Sequence, residues 1–408
     1  MKKIIILVSL LILATLALCA CGNTADSASR TLYVYNWGEY ISDGSEGSVN
    51  TNKEFERYCK EELGINVTVN YSTYSSNEDL YAKLSSGSVK YDVIIPSDYM
   101  IQRLATEGLL AEITPNESIE NYQYVDNDFK GLYYDPDEKY SVPYTYGSVG
   151  IIYNTDMISA DDENLGKWDL LWDEKHKGNI LQFNNPRDAF GTAQFYLGYS
   201  INSTDEGEWR EALDALKAQK SVVQGYVMDE IFNKLQGGSA AVAPYYAGDF
   251  FTMYADNELL DFYYPEGSTN VFVDAMCVPI NAQSPDLAIE YINFMLTKEI
   301  AIANAEYICY ASPNTLVSSD EEYIAYMESE VHPNAMAILY DFDMSNMEFY
   351  SDLPDETRML MNSLWEELKI ESSVGQAVYV ICYVIIAAIV VGAISYFIRK
   401  KKREALYD

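Results

Sequence analysis

Thr31-Leu-Tyr-Val-Tyr-Asn36, Ile65-Asn-Val-Thr-Val-Asn-Tyr71 and Tyr91-Asp-Val-Ile-Ile-Pro96 are three short apolar runs separated by stretches of a different period. The first reads as a strand. In the second, Ile65, Val67, Val69 and Tyr71 alternate with polar residues, as they do in a strand with one buried face. The third is nearly continuous in its apolar residues, the pattern of a strand covered on both sides. Between the first two, Phe55, Tyr58, Cys59 and Leu63 recur at helical spacing, and Gly64 follows as a C-cap. Asn77 to Leu84 and Tyr99 to Leu110 are helical again. This strand–helix–strand–helix–strand order predicts an α/β domain with a mainly parallel sheet and helices on both faces.

The same alternation continues along the chain. Val149 to Asn154, Ala240 to Ala243 and Val271 to Pro279 read as strands. Phe190 to Ser200, Glu208 to Gln219, Ser284 to Leu296 and Lys298 to Glu306 read as helices. The sequence has no fixed-period repeat, Walker loop or dinucleotide fingerprint, so no cofactor is expected. In open α/β sheets ligands sit at the carboxyl ends of strands. That directs attention to Trp37–Tyr40, Ser97–Tyr99, Asn185–Asp188, Tyr245–Asp249 and Phe272–Asp274, each of which follows or ends an expected strand.

Charge narrows the chemistry. With 27 basic and 62 acidic residues the chain carries a formal charge of −35. Nucleic acid, which needs a basic footprint, is excluded as a partner, and anions are disfavoured. A negative field draws cations towards a cleft, although most of these carboxylates belong to a solvated surface. The 36 tyrosines offer flat apolar faces with polar tips, suited to cations, carbohydrate or metal. His176 and His332 have no metal-ligand spacing around them, so neither a zinc site nor a histidine-based triad is expected.

Both ends carry targeting signals. Lys2 and Lys3 precede an apolar run from Ile4 to Leu18, and Leu18-Cys19-Ala20-Cys21 resembles a bacterial lipobox. Residues 1–20 are therefore expected to be a signal peptide, Cys21 the lipidated residue and 21–30 a tether. Ala377 to Ile398 is uncharged and apolar, and at about 1.5 Å per residue it crosses a hydrocarbon core about 30 Å thick. The basic residues from Arg399 to Arg403 then stay in the cytoplasm. This places residues 370–376 as a linker, 377–398 as a transmembrane helix, 399–408 as a tail, and the intervening domain outside the cell. Once Cys21 is lipidated, Cys59, Cys277 and Cys309 remain in the exported part; a Cys277–Cys309 bridge and three free thiols both stay open.

Several strand-end residues suit an organic polycation. Glu39, Asp188, Asp249 and Asp274 can pair with amines through charge-assisted hydrogen bonds. Trp37, Tyr40, Tyr99, Tyr246 and Phe272 can wall the methylenes, with cation–π attraction of roughly 0.5–2 kcal/mol. Taken singly, an Asp after a strand is more often a helix cap and an aromatic more often core. It is their combination at strand ends that points to a site.

At these residues the sequence resembles the spermidine/putrescine-binding proteins of ABC importers. Tyr33-Val-Tyr-Asn-Trp-Gly-Glu-Tyr40, Tyr71-Ser-Thr-Tyr-Ser-Ser-Asn-Glu-Asp-Leu-Tyr-Ala-Lys-Leu84, Tyr91-Asp-Val-Ile-Ile-Pro-Ser97 and Lys139-Tyr-Ser-Val-Pro-Tyr144 carry the likeness. Lys177-Gly178, Tyr264-Pro-Glu-Gly267 and Ser312-Pro-Asn314 extend it across the exported region. The resemblance implies a two-lobed type II periplasmic-binding-protein fold with hinge strands. One lobe would hold 31–144 and 274–320, the other 145–273 and 321–369. It further implies a polyamine ligand, ABC permease subunits as membrane partners, and ligand contacts at Trp37, Glu39, Tyr40, Ser97, Tyr99, Asp188, Tyr246, Asp274 and Tyr310. Asn185 and Phe272 are substituted contact positions, Gly38 stands where Thr or Ser is usual, and Tyr246-Ala-Gly-Asp249 adds Asp249. Three other readings compete. A ferric-ion binder of the same fold would use the adjacent pairs Tyr133-Tyr134, Tyr245-Tyr246 and Tyr263-Tyr264. A receptor ectodomain would sense a ligand without transport. A carboxylate-pair glycosidase has little support, because acidic pairs are common throughout this chain; no enzyme activity is expected.

Overall fold

The computed structural model describes residues 29–342, 346–370 and 386. The signal segment with Cys21, most of the tether and of the linker, the basic tail, and the 377–398 run apart from Ile386 lie outside the described residues. Among those described, no helix is long and apolar enough to cross a membrane.

The opening units form as their periods require. β1 (Arg30–Trp37) pairs in parallel with β2 (Val67–Tyr74) and β3 (Val93–Ile94). Helix α1 (Thr51–Glu61) buries Thr51, Phe55 and Cys59, and its N-cap Asn50 accepts from the Lys53 amide at 2.9 Å. Helix α2 (Asn77–Ser85) is capped by Ser76, and α3 (Asp98–Thr106) follows β3 directly. Two ends differ from the sequence reading. Leu63 lies beyond α1 and is 41 % exposed, because the chain turns at Gly64, φ 68°. The helix expected to reach Leu110 stops at Thr106, and Gly108, φ 69°, turns the chain there. Left-handed backbone favours glycine at both turns.

The other strands are β4 (Ser141–Asn154), β5 (Ile180–Phe183), β6 (Val223–Val227), β7 (Val242–Tyr246), β8 (Leu260–Tyr263), β9 (Thr269–Cys277) and β10 (Met347–Phe349). The first sheet runs β2-β1-β3-β9-β4, and the second runs β4-β7-β5-β6. Strand β4 belongs to both. Ser141 to Ser148 pair antiparallel with β9, whereas Val149 to Tyr153 pair with β7. The result is two α/β lobes connected through long paired strands. A register shift between Pro143 and Thr145 lies within that pairing and sets Thr145 opposite Asp274. Such a bulge re-aims side chains, and here it brings Thr145 into the polar chain described below.

The second lobe carries α4 (Pro186–Leu197), α5 (Glu206–Gln219), α6 (Glu230–Gln236) and α7 (Ala247–Asp256). Helices α8 (Pro285–Met295) and α9 (Lys298–Ile308) return to the first lobe. There Tyr291 packs edge-on against Phe55 with ring centroids 5.0 Å apart. The Asn304 side-chain oxygen Oδ1 accepts from the Ser42 amide and the Thr51 hydroxyl. Residues 355–370 are helical, and Trp365 of that helix packs against Phe190 and Tyr226 of the second lobe. Cys59, Cys277 and Cys309 are buried free thiols.

Candidate ligand-binding site

All twelve ligand-contact candidates line one cavity between the lobes, which encloses about 930 Å³ including its open mouth. The turn after β1 supplies Trp37, Glu39 and Tyr40. The start of α3 supplies Ser97 and Tyr99, the first turn of α4 brings Asn185 and Asp188, and the β7–α7 junction brings Tyr246 and Asp249. Strand β9 contributes Phe272 and Asp274, and Tyr310 follows α9. Glu78, Asp98, Arg187, Asp229, Tyr245 and Tyr350 line it too, although none is among the twelve contact candidates.

Asp274 is the centre of the polar lining. It is 4 % exposed. Tyr40 donates its hydroxyl to Asp274 Oδ2 at 2.7 Å, and the Thr145 hydroxyl lies 2.6 Å from the same phenol oxygen. Because Tyr40 has a single proton to give, Thr145 is the donor in that second bond. Asp274 Oδ1 is buried without a hydrogen-bond partner. Burial pushes this carboxyl up to about 6, opposed by the Ser97 and Tyr40 hydroxyls beside it. An unsatisfied buried carboxylate oxygen costs about 1–3 kcal/mol or more, which an ammonium donor would remove.

Asp188 is held by its own helix terminus. In Asn185-Pro186-Arg187-Asp188, Asn185 is the N-cap and Pro186 opens α4, where proline's missing N–H leaves no bond unmade. The Asn185 side chain accepts from the Asp188 amide at 2.8 Å and donates to Asp188 Oδ2 at 2.7 Å. The Tyr246 hydroxyl donates to that same oxygen at 2.7 Å. Asp188 titrates above the usual carboxylate range because it is buried. Beside it, Arg187 is 3 % exposed and lies 4.3 Å above the Tyr350 ring. Burial lowers its pKa, opposed by Tyr350, Tyr99, Glu78 and Asp188. Tyr99 donates to Glu78 at 3.1 Å.

At the β7–α7 junction, Tyr310 donates to Asp249 Oδ2 at 3.0 Å. Burial raises Asp249 to about 7, and the charges of Asp229 and Glu39 add to the rise. The aromatic walls are continuous. Tyr246 meets Phe272 edge-on at 5.5 Å, Phe272 lies 6.3 Å from Tyr310, and Tyr310 meets Tyr40 edge-on at 4.9 Å. Trp37 packs on Tyr74 at 4.6 Å. Carboxylates among aromatic rings can hold a flexible organic cation along its length.

The adjacent tyrosines do not gather into a phenolate cluster. Tyr133 donates to the Tyr350 carbonyl, Tyr263 to that of Lys167 and Tyr264 to that of Ile338. His176, which lacks ligand spacing in the sequence, meets Asp162 at 3.0 Å with Asp173 nearby. Their oxygens already accept from loop donors of Asn164 and Lys175, so this group fastens a loop.

Two lobes connected by paired strands around a buried acidic and aromatic cavity are the architecture of a solute-binding protein. The chain belongs to the bacterial extracellular solute-binding protein family, whose sequence profile matches residues 53–330. It is 32 % identical over 287 residues to the spermidine/putrescine-binding periplasmic protein of Escherichia coli, covering 70 % of this chain and 78 % of that one. It is 29 % identical over 375 residues to the putrescine/cadaverine-binding protein of Pseudomonas aeruginosa, covering 88 % of this chain and 99 % of the relative. A solved structure from Listeria monocytogenes, named for a spermidine/putrescine ABC transporter, superposes with a TM-score of 0.73 at 33 % identity. It covers 84 % of this chain and 99 % of that one.

Proposed function

We propose that this chain is the extracytoplasmic substrate-binding component of an ABC importer and that it binds a polyamine, spermidine or putrescine, between its lobes. The observation that carries the reading is Asp274, a buried carboxylate with one oxygen unpartnered inside an aromatic-walled cavity. A protonated amine satisfies that oxygen and the rings cover its methylenes. The names of the relatives point to the same ligand class. The chain works by capture and release, with permease subunits as its membrane partners, and catalyses no reaction. Lipid at Cys21 and a helix over 377–398 keep it at the outer face of the cell membrane; recovery from the soluble fraction of cells would overturn that anchoring.

Calorimetry on the detergent-solubilised chain against spermidine, putrescine, neutral amino acids and ferric ion tests the ligand. The expected result is saturable binding of a polyamine that weakens by roughly 2–5 kcal/mol in Asp274→Asn, the cost of removing one partner of a buried charge pair. Equal polyamine binding by parent and variant would place the ligand elsewhere.

A further inference from the structure

We propose that Asp229, a residue outside the twelve contact candidates, is a ligand contact that joins Glu39 and Asp249 in a station for one terminal primary ammonium of the ligand. This rests on the polyamine reading above and adds a specific residue to it.

Asp229 occupies the N-cap of α6, where an aspartate ordinarily accepts from the helix's free amides. Its side chain makes no cap hydrogen bond. The carboxylate instead lies at the cavity and against the opposite lobe: a Cβ added at Gly38 would sit 3.6 Å from Asp229 Oδ2. Glu39, the next residue of that first-lobe loop, lines the cavity from left-handed backbone at φ 51°. A side chain at this φ costs conformational energy that is retained where surroundings impose it. Asp249 completes the group from the start of α7, and the charges of Asp229 and Glu39 both act on it. The charges that act on Asp249 and Asp229 are the carboxylates of Asp229, Glu39 and Glu230, whereas Arg187 stands beside Asp188. Asp229, Asp249 and Glu39, drawn from the two lobes, line the cavity that contains the unpartnered Asp274 oxygen, without yet surrounding a single point in it. An ammonium carries three donors and can bridge these carboxylates as the lobes approach. Its arrival replaces repulsion across the cleft with attraction, so this station also links ligand capture to approach of the lobes.

A chemical double-mutant cycle on the full chain in detergent tests the contact. Spermidine is compared with its two truncated analogues, N-propyl-1,4-diaminobutane and N-butyl-1,3-diaminopropane, each lacking one terminal amine. Asp229→Asn is expected to weaken spermidine about tenfold, the scale of a lost hydrogen bond to a charged group. For one analogue the same substitution should cost less than about threefold, because the amine held by Asp229 is missing. Asp229→Glu should recover part of the spermidine affinity. Asp229→Asn should melt no lower than the parent, since no cap bond is lost. If the parent binds spermidine and the substitution costs nothing, or costs the same for all three ligands, the Asp229 contact is wrong while the polyamine reading stands. If the parent binds no polyamine, the polyamine reading itself fails.

Discussion

Asp274 and Asp249 hold their protons to about pH 6 and about pH 7 because burial disfavours their charged forms. Both values lie above the ordinary 3.8, so the folded chain binds these protons more tightly than the unfolded chain. Stability from these groups is therefore fullest below about pH 4. It falls as pH rises from the unfolded value towards the folded one, and for Asp274 the loss is complete above about pH 6. Its size is on the order of 3 kcal/mol for Asp274 alone. Asp274→Asn should accordingly melt above the parent at pH 7, with the gap closing towards pH 4. Taking the difference cancels the many surface carboxylates of opposite slope, and a pH-independent gap would remove Asp274 from this role. A cation binds the ionised forms, so polyamine affinity should drop as pH falls from 8 to 5. Calorimetry in two buffers of unlike ionisation heat should register proton release at pH 6.5.

Most of the contact candidates legible in the sequence end or follow a strand and are flanked by a recognisable run, whereas Phe272 and Asp274 lie within β9 and Tyr310 follows α9. Glu78 was hidden because an acid in the first turn of α2 reads as helix-terminus chemistry. Arg187 was hidden because an arginine in a cation site runs against the charge logic; the structure places it beside Asp188 and Glu78, where it moderates their repulsion. Asp229 and Tyr350 fall in stretches whose sequence shows no strand or helix period.

At the scale of elements, long periodic helices and half-buried strands were legible, whereas β5, β6 and β8 were not. Each is only four or five residues long, too short for a period to emerge. Strand β4 begins at Ser141, earlier than its apolar Val149 start suggested. Pro143 and Gly147 break the pattern, yet pairing with β9 holds that segment extended; Gly147 is required because an added Cβ would meet Phe272 at 2.9 Å. Gly248 in α7 is a sharper case, since an added Cβ would lie 2.2 Å from Tyr310 Cδ2. In an open helix Gly→Ala gains about 1 kcal/mol. Here the ring must move from Asp249, and overpacking costs about 1–3 kcal/mol. Gly248→Ala should lower the melting midpoint and weaken polyamine binding about tenfold. In a double-mutant cycle Tyr310→Ala should remove most of the stability penalty. Additive effects on melting would show that the two residues are not in conflict.

At the scale of the whole molecule, the two-lobed arrangement was legible through the family resemblance, because motifs from both halves of the chain supply one set of contacts. The geometry of the connection was not, since it depends on which residues of β4 pair with β9 and which with β7. That pairing makes the site responsive to lobe position. Tyr40 belongs to the first lobe, Asp188 and Asp249 to the second, and Asp274 to the strand that pairs along the connection. Carboxylates facing one another across the cleft repel, and the repulsion strengthens as water leaves. A polycation reverses its sign, so it binds the closed arrangement better than the open one, and that difference in affinity is what shifts the population. Hinge closure through a few residues at strand ends and bulges is the expected motion, with the register shift between Pro143 and Thr145 as its pivot. Small-angle scattering on the full chain in a contrast-matched detergent should show the radius of gyration falling on saturation with spermidine. Asp274→Asn at the same spermidine concentration should retain the ligand-free curve, because without that carboxylate the cation has less preference for closure. An unchanged radius for the parent, with binding confirmed in the same sample, would mean that the ligand enters a cleft already closed and that the like charges across it do not control the lobes.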